Sequence, residues 1–247
     1  MDRALYVAMS GATQTMRAQA ANNNNIANAS TAGFRAELTA LMPVDVQGPG
    51  APTRVNALAM TSGWDSSAGG VMQTGNPLDV ALRDNNWLAV QASDGSEAYT
   101  RAGDLRVNAL GQLSNAAGHV VMGDAGPVSV PQNSSVSVAS DGTISIVPLG
   151  QGPETQATVG RLKVVEAKPA QLQRGDDGLM RVKVGQKLNP ASGEVLISGA
   201  LENSNVNLAG AMVNMIELAR QFELQVKMMK TVEENATASS SLVRMTG

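Results

Sequence analysis

The feature that most constrains this chain is a change of sequence period that occurs twice. At the front, Leu5, Met9, Ala12, Met16, Gln19, Asn23 and Ile26 recur at alternating spacings of four and three, the signature of one face of an α-helix. At the back, Leu208, Met212, Met215, Ala219, Phe222, Val226 and Met229 keep the same spacing, which fades through Glu233, Ala236, Ser240 and Val243. Asp2 and Asn207 are residue types that cap helix starts, and the run Asn28-Ala29-Ser30-Thr31-Ala32-Gly33 supplies a stop for the first helix. Between these ends the period falls to two. Met180, Val182 and Val184 alternate with Arg181 and Lys183, and Trp87, Ala89 and Gln91 alternate with Leu88, Val90 and Ala92, as strand residues do.

Turn chemistry punctuates this middle region. Asp94-Gly95, Asp141-Gly142, Asp177-Gly178 and Asn189-Pro190 are turn dipeptides, and Gly95, Gly103, Gly111, Gly118 and Gly126 recur every seven or eight residues. The expected class is therefore α+β: a mainly antiparallel β-domain, sandwich- or barrel-like, flanked by long N- and C-terminal helices that pair as a coiled coil. The expected division is 1–35 for the first helix, 36–73 for an extended linker, 74–200 for the β-domain and 201–247 for the second helix. Pro43, Pro49, Pro52 and the stretch Ser62 to Gly70 mark the linker, with one strand over Val55 to Met60.

The two helical seams are poor ones. Gln19 and Asn23 are polar, Ala12 and Ala219 are small, and only six aromatic residues occur in the whole chain. Ordering long helices costs conformational entropy that so thin a seam offsets badly. They become sensible if further subunits cover them, so the expected assembly interface is Leu5, Met9, Ala12, Met16 and Ile26 with Leu208, Met212, Met215, Phe222, Val226 and Met229.

Residue chemistry argues against the usual active sites. The net charge of −3 offers no footprint for nucleic acid, and the absence of cysteine removes disulfide and thiolate-metal frameworks. One histidine, His119, leaves no His-pair metal site, and no Gly-x-Ser-x-Gly elbow or phosphate-loop Gly-Lys occurs. Asp176-Asp177 runs into a glycine turn, and glycoside hydrolysis needs two carboxyls facing each other across a cleft. No catalytic, cofactor or metal residue and no small-molecule substrate is expected. All six lysines lie at or after Lys163; the stretch Arg161, Lys163, Lys168, Arg174, Arg181, Lys183, Lys187 reads as alternating solvated strand faces, or as a contact surface for cell wall. The apolar run Ala4 to Met9 is too short for a signal-peptide core.

Four ordered blocks carry a resemblance. They are Asn24-Asn25-Ile26-Ala27-Asn28 through Thr31-Ala32-Gly33-Phe34-Arg35; Thr74-Gly75-Asn76-Pro77-Leu78-Asp79-Val80-Ala81-Leu82; Tyr99-Thr100-Arg101-Ala102-Gly103-Asp104 with Gly111-Gln112-Leu113; and Gly199-Ala200-Leu201-Glu202-Asn203-Ser204-Asn205-Val206. Spread over essentially the whole chain, they resemble the flagellar basal-body rod protein family, whose commonest pattern has Lys where Arg35 stands and Asn where Ala102 stands. The start Met1-Asp2-Arg3-Ala4-Leu5-Tyr6 and the block Arg174 to Leu179 are most similar to the proximal-rod member, with the distal-rod member as runner-up. The resemblance implies a structural subunit of the basal-body rod in the periplasmic space. It implies other rod subunits as partners and passage through the flagellar type III export apparatus without a cleaved signal peptide, with peptidoglycan nearby. It also implies an export signal at Phe34 and Leu38, in the pattern Phe-x-x-x-hydrophobic.

Overall fold

The computed structural model describes residues 4–45, 55–152 and 154–245, so the Asp2 cap and Pro49 and Pro52 lie outside the described residues. Two compact units emerge: one from residues 1–29, 36–65 and 206–247, the other from 30–35 and 66–205. The α+β class stands.

The first unit holds two helices and a hairpin. Helix α1 spans Ala4–Ala27 and helix α2 spans Leu208–Met245. Asn207 caps α2: its side-chain oxygen accepts from the Gly210 amide at 3.0 Å, and its carbonyl accepts from the Ala211 amide. The segment expected as extended linker is instead an antiparallel pair, β1 (Glu37–Asp45) with β2 (Val55–Trp64). The prolines misled because β1 is the edge of a two-stranded ribbon, where Pro43 gives up no obligatory ladder bond. Asn25 on α1 docks the ribbon, donating to the Glu37 carbonyl at 2.9 Å and accepting from the Glu37 amide at 2.8 Å. Among the described residues no helix is long and apolar enough to cross a membrane.

The second unit is a set of short antiparallel strands. Its largest sheet runs in the order Leu172–Arg174, Met180–Val182, Glu97–Thr100, Asn86–Gln91, Val120–Gly123, Leu113–Asn115, Leu105–Val107. A three-stranded sheet of Asn133–Val138, Thr143–Pro148 and Ala157–Arg161 adjoins in sequence. The core is aliphatic: Val80, Leu88, Val90, Leu113, Val121, Ile144 and Leu196 are fully buried within it. Asn86–Gln91 is buried on both faces and does not alternate between core and solvent, because strands pair with it along both edges.

Three expected turns form by one mechanism. The side chains of Asp94, Asp141 and Asp177 each accept from the backbone amide two residues on, and Gly95, Gly142 and Gly178 follow at φ of 82°, 88° and 79°. Asn189-Pro190 is not a turn. It pairs with Val165 and Glu166 as a short strand. Val184 lies beyond the last paired residue, Val182, and is fully exposed.

Candidate assembly interface

The two helices run antiparallel. Asn22 Nδ2 donates to the Ala211 carbonyl at 2.8 Å, while a side-chain carbon added to Gly11 would stand 3.0 Å from the Gln225 side chain. Advancing along α1 thus retreats along α2, and the start of α1 falls near residue 232. Residues 233–241 are exposed throughout. At about 1.5 Å per residue the remainder of α2 carries on roughly 20 Å past α1.

What α1 buries is small. Ala8, Ala12, Gln14 and Thr15 form its covered arc, and the Thr15 hydroxyl is satisfied by the Gly11 carbonyl at 3.0 Å. Of the residues expected at the interface, Ala12 is buried and Ile26 half-buried, whereas Leu5, Met9 and Met16 are 40%, 51% and 57% exposed. These three point the same way around the helix, since their spacing returns to one side every three to four residues. On α2, Phe222 and Met229 are half-buried with Leu218, Ala219, Gln225 and Val232 beside them. Leu208, Met212, Met215 and Val226 are exposed. So are Val213, Ile216 and Leu224, on the side of α2 away from Leu218 and Gln225. Large apolar residues therefore surround α2, while only one side of it is covered within the chain. A helix that is apolar all round is normally buried all round.

The reason for the offset is steric. Helices and ribbon approach closely where side chains are small, so Ala8, Ala12 and Gly11 are drawn to the intrachain contact and the larger residues are left outside.

A second feature, not anticipated from residue chemistry, lies in the β-rich unit. Glu202, with 1% of its side chain exposed, accepts from two buried arginines: Arg35 Nη2 at 2.6 Å and Arg101 Nε at 2.6 Å. Its Oε1 also accepts from the Gly69 amide at 2.9 Å. Arg101 then serves the carbonyls of Leu82, Asp84 and Asn86, and Arg35 serves that of Ser67. Around this triad, residues 30–35, 66–70 and 200–205 lie side by side: Gly33 donates to the Glu202 carbonyl, Asn203 to that of Gly70 and Asn205 to that of Phe34. An arginine at 35 reaches two acceptors at once, which a lysine ammonium on the same stem does poorly.

The other candidates are structural. Phe34 is half-buried with the Arg174 guanidinium 4.7 Å above its ring, and Leu38 is exposed on β1. In the basic stretch, Lys163 pairs with Glu97 at 2.7 Å, Arg181 with Asp177 at 2.7 Å, and Arg161 donates to the Asp141 carbonyl. The Arg181 hydrogen bonds hold the Asp177 carboxyl below its ordinary range. His119 closes a turn, its amide donating to Asn115 Oδ1 at 2.9 Å. Burial pushes Asp104 up, and its Oδ1 has no partner among the described residues. No group of three or more potential metal ligands occurs among the described residues.

Comparison with known proteins covers the same segments. A family profile described as "Flagella basal body rod protein" matches residues 5–35, one described as "Flagellar hook protein FlgE/F/G D1 domain" matches 81–146, and one described as "Flagellar basal body rod FlgEFG protein C-terminal" matches 197–242. The chain is 46% identical to the flagellar basal-body rod protein FlgF of Escherichia coli, over 99% of this chain and 100% of the relative. It is 45% identical to that of Salmonella typhimurium over 99% and 100%, and 30% identical to the flagellar basal-body rod protein FlgG of Agrobacterium fabrum over 96% and 98%.

Proposed function

Because this chain belongs to the flagellar basal-body rod protein family, we propose that it is a structural subunit of the rod, built in by its terminal helices. The observation that carries this mode of assembly is the exposed apolar surface of α2, with Met212, Val213, Ile216, Leu224 and Val226 uncovered on a helix that already has one partner. Neighbouring rod subunits supply the missing cover. In the rod, α1 and α2 form a coiled-coil layer with those of adjacent copies, and the β-rich unit, with its closed aliphatic core, stands apart from that layer as a self-sufficient body. Torque then passes through many packed side chains. The higher identity to the FlgF relatives, against 30% for the FlgG relative, favours a proximal over a distal position.

The rod location puts the working protein in the basal body at the level of the periplasm, close to peptidoglycan. Passage through the flagellar type III export apparatus, read from Phe34 and Leu38 near the uncleaved N-terminal segment, supplies the route. Commitment of Arg161, Lys163, Arg174 and Arg181 to partners inside their own unit weighs against a cell-wall-binding module as the main role.

The test is Met212→Asp, which places a carboxylate on the exposed face and touches nothing buried. The variant should fold with an unchanged β-rich unit, be exported, and fail to enter basal bodies, leaving cells non-motile. Normal motility would sink the helix-face assignment.

A further inference from the structure

The export element is part of the folded β-rich unit. Gly33 has φ of 66° and packs so closely on the Arg101–Ala102 backbone that a side chain there would collide with it. The Gly33 amide is held by the Glu202 carbonyl at 2.7 Å, the Phe34 carbonyl accepts from the Asn205 amide, and the Arg35 carbonyl accepts from Arg174 at 3.0 Å. The Phe34 ring lies beneath the same Arg174 guanidinium, and the Arg35 side chain is sealed against Glu202. A receptor that reads an extended chain needs its backbone groups and its aromatic anchor free. Here neither is free.

Resting on the reading of Phe34 and Leu38 as an export signal, we infer that closure of this clasp masks the signal, so that folding of the β-rich unit itself ends recognition by the export apparatus. The order of residues along the chain makes the device work. The covering groups Arg174, Glu202 and Asn205 come late; Glu202 follows Phe34 by 168 residues. At about 5–20 residues per second of synthesis, the signal stays open for on the order of 10–30 s before its cover exists. A nascent or freshly made chain is therefore readable, and a folded subunit in the cytoplasm is not. Apparent affinity of a masked element falls in proportion to the fraction of molecules in which it is open.

The test compares binding to the purified cytoplasmic domain of the export gate by fluorescence anisotropy. The ligands are a labelled peptide of residues 28–42, its Phe34→Ala counterpart, the native full-length chain, and full-length Arg174→Ala and Glu202→Ala. The peptide should bind, its Phe34→Ala form should not, and the native chain should bind more than about tenfold more weakly than the peptide. Glu202→Ala should recover peptide-like binding whether it loosens the clasp or unfolds the unit. Arg174→Ala leaves the triad intact and should recover part of it, with faster hydrogen exchange at the Phe34 and Asn205 amides. A native chain that binds as well as the peptide overturns the masking while leaving the export reading in place. A peptide that fails to bind, or that binds equally without Phe34, overturns the export reading and the masking with it.

Discussion

Glu202→Gln is the sharpest perturbation of the β-rich unit. Glutamine preserves the volume and can still accept from the Gly69 amide, but it removes the charge shared by two arginines whose side chains are each only 3% exposed. Removing one partner of a buried ion pair leaves an uncompensated charge and costs about 3–5 kcal/mol. Arg101 keeps three carbonyl acceptors, at Leu82, Asp84 and Asn86, which places the expected loss near the lower end of that range. For a unit of this size the loss corresponds to a fall in Tm of roughly 10 °C. Urea and thermal unfolding followed by tryptophan fluorescence would measure it, with Asp177→Asn as a control. The Asp177–Arg181 pair is more than a quarter exposed on both sides, and its loss should cost under about 1 kcal/mol. Replacing all three triad residues by apolar ones should not restore stability, because the carbonyls that Arg101 serves would lose their donor. A Glu202→Gln loss below about 1 kcal/mol, or full recovery in the apolar triple variant, would refute the assignment of the triad as the anchor of the unit.

Three further outcomes are expected. Gly11→Ala should be tolerated and raise helix stability by up to about 1 kcal/mol, since only the flexible end of Gln225 must move, whereas Gly11→Leu should push α1 and α2 apart and cost about 1–3 kcal/mol, read from helical circular dichroism on heating. Arg35→Lys should cost about 1–3 kcal/mol in urea unfolding, because one of the two acceptors at Ser67 and Glu202 loses its donor. Asp104→Asn should stabilise at neutral pH by about 1 kcal/mol, since burial raises the folded-state pKa and the charged form carries the penalty. That penalty is present above the folded pKa and fades as pH falls through it, so the gap between variant and wild type in urea midpoint should close on acidification; a gap that widens would contradict the sign.

The turns were legible residue by residue. Asp94-Gly95, Asp141-Gly142 and Asp177-Gly178 each encode a carboxylate acceptor and a left-handed position within three residues, so nothing distant is needed to form them. Asn207 as the cap of α2 was legible for the same reason. The four blocks that carry the family resemblance were visible as strings, yet their meaning was not. Thr74 and Asn76 close a turn on the Asp79 carboxylate, Gly103 is glycine because the Val80 carbonyl leaves no room for a side chain, and Arg35, Arg101 and Glu202 meet across 167 residues.

Local chemistry alone settled that the chain has helical ends, a strand-and-turn middle and a short menu of tight turns, because period, caps and φ > 0 positions are properties of neighbouring residues. Tertiary structure alone decided which side of each helix is covered. The four-three spacing marked Leu5, Met9 and Met16 correctly as one face, but close approach belongs to the smallest side chains, so Ala8, Ala12 and Gly11 turn inward and the large residues turn out. Periodicity shows that a face exists, and only packing shows whether the chain itself or another molecule covers it.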